Sequence, residues 1–585
     1  MDTPVASEAP DAPLRLDETA EVASPSERPA PSWAGDNIAG TLRIDGPVRL
    51  SGLAADRRPD PTLLEGLDPL TCLGKGFVPW RRIGRTTVIA TDGRSGIEEI
   101  LATLPERRTR IVFAPATRAE IEAAIGQVFG DRLAARARSR TQPGHSCAAL
   151  PWPRIVWLAV PSIGAALLFA PLAALAVLIA WISVVNFATM AIRATALVES
   201  MRTRQVSAPV IPIGAAPKPP PRISLLIPLL REDVVLRHLI RALERLEYPK
   251  DRLDVKLVLE DDDVATPLAL AQVERPAWIK TLRAPRDALR TKPRALNFAL
   301  DFCEGEIIGV YDAEDRPEPG QLRAIVRHFE SAPADVACLQ GQLDFYNARQ
   351  NWLARCFTLE YAIWFRVLLK GIERLRLPLP LGGTTVFFRR APLEAVGAWD
   401  AHNVTEDADL GMRLARFGFR TEMVVTTTME EANCLARPWI VQRSRWLKGY
   451  AMTWASHMRA PQKLWQDLGP AGFLGFQVLF LGGLTSYLAT PLFWLLALAA
   501  FGLQSTVFDA LPAPLWTVFF ASMAIGQALM LAVALRAALP RPRRHLLPFV
   551  PTLLFYWPLG AVAAYRAIWE IFRAPFHWHK TKHGI

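Results

Sequence analysis

Three carboxylates stand together at the end of an apolar run in the middle of the chain. Asp312, Glu314 and Asp315 follow the run 307–311, which has the composition of a buried strand. Clustered negative charge at the end of such a strand is costly unless a cation or a proton neutralises it. Carboxylates suit hard divalent ions such as Mg²⁺ or Mn²⁺, which in turn bind phosphates. The stretch therefore indicates either a metal–phosphate site or, if isolated, a solvated acidic turn.

Three further polar clusters surround this stretch in a fixed order. The acidic run 260–263 follows another apolar segment, and a Thr-Glu-Asp triplet begins at Thr405. Gln442, Arg445 and Trp446 lie at i, i+3 and i+4, which places them on one face of a helix. Each cluster alone has an ordinary interpretation: a solvated turn, a helix cap, or an interfacial helix with a snorkelling arginine and a belt tryptophan.

Together the four clusters resemble the D, DxD, TED and QxxRW signatures of membrane-embedded family-2 glycosyltransferases, the group that contains cellulose and hyaluronan synthases. The resemblance runs from about residue 222 to residue 446. It implies a GT-A fold, a nucleotide-sugar donor (most often a UDP-sugar), Mg²⁺ or Mn²⁺ as cofactor, and transfer with inversion.

The resemblance also implies roles for individual residues. Asp407 would be the general base that deprotonates the acceptor hydroxyl. Donor binding would fall to Glu232, Glu260, Asp262, Lys292, Asp312, Gln442 and Arg445. Acceptor binding would fall to Glu406, Trp446, Gly383 and Thr384. The metal would be held by Asp312 and Asp315.

Two clusters depart from the family pattern. The usual D-D-G is E-D-D-D here, which leaves open whether Glu260 or Asp262 contacts the donor. The metal motif is one residue longer than D-x-D, so that Glu314 can take the place of Asp315.

The elements that must position these residues alternate between strands and helices. Strands are predicted at 223–228, 255–259 and 307–311, with a helix at 234–246, and this alternation predicts a mostly parallel α/β sheet. Ligands of such sheets bind at the carboxyl ends of the strands, where the acidic clusters lie.

A small α/β domain is predicted at residues 39–146, after a disordered segment at 1–38. It has strands at 86–90 and 110–114, a helix at 96–104, and a capping box, Thr117 with Glu120, that opens a helix to residue 129. It resembles the N-terminal domain of type II secretion ATPases, which also precedes glycosyltransferases related to phage adsorption protein B. Some such domains bind cyclic di-GMP through a motif that begins R-L-G, and only residues 82–84 approximate this motif here. The alternative is that the domain is a docking module. The domain holds none of the four clusters and is expected to be dispensable for chemistry.

Membrane segments are indicated by the composition, which is 51% hydrophobic and only 21% charged. A transmembrane hairpin is predicted at 152–198, an interfacial helix at 451–469, a transmembrane region of three or four crossings at 470–572, and a basic tail at 573–585. The helix at 352–375 could pack on the sheet or rest on the bilayer. The catalytic domain would span 209–450, between the membrane segments.

The location that follows is a multi-pass protein of the cell inner membrane with a cytosolic catalytic domain. The six cysteines are scattered, which suits a reducing cytosol, and no zinc site is expected. The net charge is +11, and the basic residues cluster beside apolar runs, which favours anionic lipid headgroups over nucleic acid as the partner.

The predicted function is extension of an extracellular polysaccharide from a nucleotide sugar, with an export partner for the glycan left open. The first alternative is transfer of a single sugar to a lipid carrier; the QxxRW element favours the polymerase. The second alternative is a membrane receptor that senses a nucleotide without catalysis, and the intact acidic set argues against it.

Overall fold

The computed structural model describes residues 59–104, 110–150, 152–202, 219–500 and 510–578. Two compact units are present, and the chain passes from the smaller to the larger between Ile121 and Glu122, inside a helix. The segment predicted to be disordered, most of the linker after residue 202 and the end of the basic tail lie outside the described residues.

The smaller unit is built on a three-stranded sheet in the order β1-β2-β3. Its strands are β1 (Phe77–Ile83), β2 (Thr86–Thr91) and β3 (Arg110–Pro115). The strand β2 pairs antiparallel with β1 and parallel with β3. The two strands predicted from the sequence are confirmed, whereas β1 was not predicted.

The helices of this region are α1 (Pro69–Lys75), α2 (Ile97–Leu101), α3 (Arg118–Val128) and α4 (Gly130–Ser139). The predicted capping box opens α3: the Thr117 N–H donates to Glu120 Oε2 at 2.7 Å and the Glu120 N–H donates to Thr117 Oγ1 at 3.3 Å. Most of α1 (residues 69–73), the end of α3 and the whole of α4 belong to the larger unit. The predicted domain end at residue 146 therefore differs from the division seen in the structure.

The larger unit holds an eight-stranded sheet in the order β6-β5-β4-β7-β10-β9-β11-β8. Its strands are β4 (Ile223–Leu229), β5 (Leu253–Glu260), β6 (Ile279–Ala284), β7 (Ile307–Val310), β8 (Arg316–Pro317), β9 (Val336–Phe345), β10 (Val386–Arg389) and β11 (Arg420–Glu430). The half formed by β6, β5, β4 and β7 is parallel, as predicted. In the other half β10 runs antiparallel to both of its neighbours.

Helices cover the sheet and extend beyond it. Around the sheet lie α7 (Leu236–Glu244), α8 (Ala265–Ala271), α9 (Lys292–Leu300), α10 (Gln321–Ser331), α11 (Trp352–Ile363), α12 (Leu369–Arg374), α13 (Arg390–Ala395) and α14 (Glu406–Arg416). The remaining helices are α5 (Trp152–Phe169), α6 (Pro171–Arg202), α15 (Ala436–His457), α16 (Pro461–Phe476), α17 (Gly483–Ala500), α18 (Ala513–Ala538), α19 (Leu553–Tyr556) and α20 (Leu559–Arg573).

Three helices among the described residues are long and apolar enough to cross a membrane. They are Pro171–Arg202, Pro461–Leu496 and Ala513–Ala538, and the bent pair Arg541–Phe549 with Leu553–Arg573 would be a fourth if it forms one span. At the predicted hairpin, α5 and α6 are separated by Ala170 alone.

The segment predicted as a separate interfacial helix, 451–469, is divided between two helices. Its first part continues α15 to His457 because Met452, Thr453 and His457 are buried against neighbouring elements. Its second part begins α16, where Gly469 adopts a φ of +66° and produces a kink.

The segment predicted as one helix at 352–375 consists of α11, a π-helical turn (Trp364–Leu368) and α12. Of its two predicted environments it takes the protein-packed one: it lies between the strand β9 and the apolar helices α6 and α18.

Candidate functional site

An open cleft lies at the carboxyl ends of β4, β5 and β7. Those ends coincide because the three strands are parallel neighbours. The predicted site residues that line the cleft are Glu232, Glu260, Lys292, Asp312, Gly383, Thr384, Glu406, Asp407, Gln442, Arg445 and Trp446. Two predicted residues, Asp262 and Asp315, are not part of this lining.

The E-D-D-D cluster divides its carboxylates between different tasks. Glu260 reaches the cleft and forms an ion pair with the fully buried Arg294; burial raises the pKa of Glu260 to about 7, although Arg294 opposes the shift. Asp262 is partly exposed and pairs with Arg290 at 2.5 Å. Asp263 accepts the backbone N–H groups of residues 265 and 266 at 3.0 and 3.2 Å and so opens α8. Of the two open candidates, Glu260 is the one that faces the cleft.

The second acidic cluster is crowded. Asp315 is 1% exposed, and its Oδ2 accepts the Asp312 N–H at 2.8 Å and the Thr384 hydroxyl. Its other oxygen, Oδ1, is buried without a hydrogen-bond partner among the described residues. Glu314, rather than Asp315, lines the cleft beside Asp312.

Burial and mutual repulsion raise the pKa values of two carboxyl groups in this cluster. Burial, reinforced by repulsion from Asp312, raises the pKa of Glu314 to about 8, and burial also raises the pKa of Asp315 well above its usual range. Within the described residues no group of three or more His, Cys, Asp or Glu side chains is already arranged around a cation position. The buried unpaired oxygen and the all-carboxylate donor set nevertheless fit a hard divalent ion.

Lys292 supplies the cation that faces these carboxylates. It begins α9, and its Nζ contacts Asp312 and donates to the Gly383 carbonyl oxygen at 3.0 Å. Burial alone would lower the pKa of Lys292, but Asp312, Glu406 and Asp407 raise it. The ammonium group therefore stays protonated.

Asp407 stands in the first turn of α14. Thr405 occupies the N-cap position but makes no capping hydrogen bond through its side chain, so the helix-cap interpretation of this triplet is wrong. Burial raises the pKa of Asp407, and burial together with Asp407 raises the pKa of its neighbour Glu406 to about 7. A carboxylate with a raised pKa is suited to accept a proton near neutral pH.

Two glycines allow other segments to approach this turn. Gly383 has a φ of +79°, and a Cβ on it would lie 2.6 Å from Asp407 Oδ2. A Cβ on Gly449, in α15, would lie 2.1 Å from Thr405 Oγ1. The close approach of α15 to α14 thus depends on the absence of a side chain at Gly449.

The helix α15 presents Gln442, Arg445 and Trp446 to the cleft, as their spacing predicts. Gln442 Oε1 accepts a hydrogen bond from Asn433 at 2.9 Å. Arg445 donates to the Val404 carbonyl oxygen at 3.2 Å, one residue before the Thr-Glu-Asp triplet.

Several cleft residues were missed by sequence reasoning, among them Arg290, Tyr361, Glu430 and Trp578. Arg290 lies two residues before Lys292, and Glu430 ends the strand β11, so that both positions carried a weak local signal. Burial, followed by the charge of Asp315, raises the pKa of Glu430 well above its usual range, which extends the acidic cluster to a further strand.

Trp578 comes from the far end of the described chain. Its ring lies 5.5 Å from the Arg445 guanidinium carbon. The segment that carries it is fixed by the fully buried Lys448, which donates to the carbonyl oxygens of Ala574 at 3.4 Å and His577 at 2.9 Å. The sequence analysis had placed this residue in the basic tail, with no role in the cleft.

Two family models match this chain. Residues 307–529 match "Glycosyl transferase family group 2", and residues 53–135 match the "MshEN domain". The first match contains the second acidic cluster, the Thr-Glu-Asp triplet and the QxxRW face, and it continues into the apolar helices.

Relatives and solved structures are similar over part of the chain. The chain is 30% identical over 236 residues to the probable glycosyltransferase YdaM of Bacillus subtilis, covering 39% of this chain and 55% of the relative. It is 29% identical over 254 residues to the β-monoglucosyldiacylglycerol synthase of Synechocystis, covering 42% and 51%. The chain thus spans about half the length of these relatives. A solved mannosyltransferase from Pyrobaculum calidifontis, in complex with GDP-Man and Mn²⁺, is 19% identical with a TM-score of 0.40 and covers 67% of this chain and 99% of its own.

The family matches include three of the four converging clusters, and they confirm both resemblances that the sequence suggested. The chain carries a domain that matches glycosyl transferase family group 2, preceded by a domain that matches the MshEN family.

Proposed function

We propose that this protein transfers a sugar, with inversion, from a nucleoside-diphosphate sugar to a hydroxyl of a growing extracellular polysaccharide. The observation that carries the proposal is the cleft itself. Ionisable side chains from separate segments between residues 232 and 446 converge there around Asp407. An inert receptor would not need a buried carboxylate of raised pKa beside a protonated lysine.

Asp407 is the base in this proposal. It accepts the proton of the acceptor hydroxyl while that oxygen forms its bond to the anomeric carbon of the donor sugar. The bond between the anomeric carbon and the diphosphate oxygen breaks on the opposite side, and the nucleoside diphosphate leaves with the electron pair. Glu406 lines the cleft beside Asp407 and contributes to acceptor binding.

Lys292 and Arg445 bring positive charge to the cleft, where the leaving diphosphate gains negative charge. Gln442 adds an amide on the same face of α15. Glu232 and Glu260 lie at the ends of the first two parallel strands and are proposed to bind the nucleoside, whereas Asp262 is held by Arg290 outside the lining.

A divalent cation, Mg²⁺ or Mn²⁺, would be held by Asp312 together with Glu314 or Asp315. When bound, such an ion neutralises the diphosphate and stabilises it as a leaving group. The unpaired Oδ1 of Asp315 and the crowding of the carboxylates support this assignment.

The acceptor is proposed to be a glycan because aromatic side chains line the cleft near Asp407. Tyr361, Trp446 and Trp578 offer apolar faces of the kind on which sugar rings stack. Gly383 and Thr384 shape the adjoining loop. A second candidate is transfer of one sugar to a membrane lipid, which is favoured by the similarity to β-monoglucosyldiacylglycerol synthases.

The proposed location is the cell inner membrane, with the catalytic domain on the cytosolic side and anionic headgroups beside the basic segments. The N-terminal unit is proposed as a docking module, with cyclic di-GMP at residues 82–84 as the alternative ligand. Export of the glycan by a partner protein remains part of the proposal.

The test is product analysis with the purified full-length protein in lipid nanodiscs. A panel of radiolabelled UDP- and GDP-sugars is supplied with Mg²⁺ or Mn²⁺, and products are separated into high-molecular-mass glycan and solvent-extractable lipid, with the Asp407→Asn variant as control. We expect labelled glycan from one donor. Label found only in a lipid of one added sugar would select the second candidate, and no transfer or hydrolysis of any donor would refute the transferase proposal.

A further inference from the structure

A buried polar cluster lies directly behind the Trp446 ring and joins three parts of the chain. The helix α15 contributes Trp439, Arg443 and Trp446, spaced i, i+4 and i+7 on one face. The helix α11 contributes Glu360. The short helix α19, which follows the bend of the last apolar segment, contributes Tyr556, and Tyr556 is fully buried.

The contacts of this cluster form a chain that ends on the tryptophan. The Tyr556 hydroxyl donates to Glu360 Oε2 at 2.5 Å and accepts the Trp439 Nε1–H at 2.9 Å. The same Glu360 oxygen accepts a hydrogen bond from Arg443. The guanidinium carbon of Arg443 lies 4.7 Å from the centre of the Trp446 ring, and 4.9 Å from that of Trp439.

The guanidinium of Arg443 therefore covers the Trp446 ring, and its own position depends on Glu360. A planar cation stacked on a ring is attracted to it, and a charge-assisted hydrogen bond to a carboxylate fixes the cation. Phe357 and Tyr361 flank the ring at centroid distances of 6.2 and 6.4 Å, so its remaining freedom is limited on those sides.

We infer that Tyr556, a residue of the membrane-associated C-terminal segment, is a positioning residue that holds the Trp446 ring in place through Glu360 and Arg443. The inference rests on the proposed role of Trp446 as the platform for the acceptor. Tyr556 touches neither the cleft nor the reacting atoms, so its effect is confined to the geometry of acceptor binding. A displaced ring lowers transfer to the acceptor, whereas attack by water on the bound donor needs no platform.

The test compares Tyr556→Phe with Tyr565→Phe in the full-length protein. Tyr565 belongs to α20, and its hydroxyl donates to the Leu488 carbonyl oxygen at 2.8 Å, so that both variants lose one hydroxyl from the same C-terminal segment. For each variant the rate of sugar transfer, the rate of donor hydrolysis and the donor KM are measured at a temperature well below its unfolding midpoint.

We expect Tyr556→Phe to lower the ratio of transfer to hydrolysis about fivefold to tenfold, the usual effect of one lost hydrogen bond on a positioned group, with the donor KM unchanged. Tyr565→Phe should leave the ratio as in the wild type. In a Trp446→Ala background the Tyr556→Phe change should have no further effect on the ratio, because the group it positions is gone.

A wild-type ratio in Tyr556→Phe, or an equal fall of transfer and hydrolysis, would overturn the inference, since the latter is what a loss of folded protein produces. The inference would also be overturned if Tyr565→Phe lowered the ratio of transfer to hydrolysis as much as Tyr556→Phe does. Each of these three results leaves the proposed function intact, because sugar transfer by the wild-type protein in the same assay tests that function separately.

Discussion

Replacing Glu122 with glutamine should destabilise the catalytic unit, although Glu122 lies within the match to the MshEN domain. The carboxylate of Glu122 reaches Lys256 Nζ at 3.2 Å, and the lysine stands in the middle of the fully buried strand β5 with 0% of its side chain exposed. The only other carboxylate paired with this ammonium group among the described residues is Asp254, also at 3.2 Å. Solvent therefore cannot replace the lost partner.

The size of the effect follows from that geometry. Breaking a buried ion pair by removing one partner costs about 3–5 kcal/mol when the other charge is left alone. Asp254 remains, and the glutamine oxygen can still accept a hydrogen bond, so the loss should be closer to that of one charge-assisted hydrogen bond, about 2 kcal/mol. A loss of that size lowers the unfolding midpoint by roughly 4 °C in a large domain.

The pH dependence of this contribution has a definite sign. Burial lowers the pKa of Lys256, but Asp254 and Glu122 outweigh it and raise the pKa above 10.5. A lysine with a raised folded pKa contributes stability that is fully present below its unfolded pKa and is lost as the pH rises through the folded value. The difference in the free energy of unfolding between Glu122→Gln and the wild type should therefore be constant around neutral pH and shrink only in strong alkali.

The assay is thermal unfolding of the purified protein, with Glu98→Gln as the matched control because Glu98 is exposed on α2. In a Lys256→Met background the Glu122→Gln change should cost much less, since the ammonium group is absent. An unfolding midpoint for Glu122→Gln within 1 °C (about 0.5 kcal/mol) of the wild type would refute the reasoning. So would an equal shift in Glu98→Gln.

The remaining predictions concern the cleft. Asp407→Asn should lower the rate of transfer about 10²- to 10⁴-fold with donor binding retained. It should also remove the loss of activity that the wild type shows as the pH falls through the raised pKa of Asp407. Near-wild-type turnover would mean that another group is the base. Chelation should abolish transfer and added Mg²⁺ or Mn²⁺ should restore it, whereas full activity in excess chelator would contradict the metal assignment. Trp446→Ala should make no long product, and its rate of transfer should fall on the order of 10²-fold, while it still hydrolyses the donor. Full-length polymer from this variant would mean that Trp446 is only a membrane-belt residue. Trp578→Ala should raise the donor KM because its ring contacts Arg445 in the cleft, and an unchanged KM would confine Trp578 to packing.

The convergence of the acidic clusters could be predicted because it depends on local rules. Parallel neighbouring strands bring their carboxyl ends to one edge, and a helical spacing of i, i+3 and i+4 places side chains on one face. Glu260, Asp312 and Arg445 followed from these two regularities. The mixed half of the sheet could not be predicted from these rules, because nothing in the short segment of β10 indicates that it runs antiparallel to both neighbours.

The N-terminal boundary shows a different limit. The pattern of strands and a capped helix identified an α/β domain ending at residue 146, which was expected to be dispensable for chemistry because it holds none of the four clusters. The structure instead places α4 against α9, where Asn297 donates to the Ala137 carbonyl oxygen at 2.9 Å and Arg140 pairs with Asp301 at 2.7 Å. A chain that begins near Thr117 would keep these contacts and one that begins near residue 142 would lose them. Removal of the smaller unit tests its function cleanly only if α3 and α4 are retained.

The partners of buried charged groups are the part that sequence patterns cannot supply. Lys256 interrupts an apolar strand and therefore needs carboxylate partners. Asp254 lies two residues away in the same strand, but the other partner, Glu122, lies far away in the chain on the helix α3. The same holds for Arg443. It occupies the first unspecified position of the QxxRW element, and its contact with Glu360 links it to Tyr556. Burial makes each of these pairs obligatory, because an unpaired charge in the interior costs more than any local propensity can offset. A charged residue inside an apolar segment therefore predicts that a long-range partner exists, and the tertiary fold alone decides which residue it is.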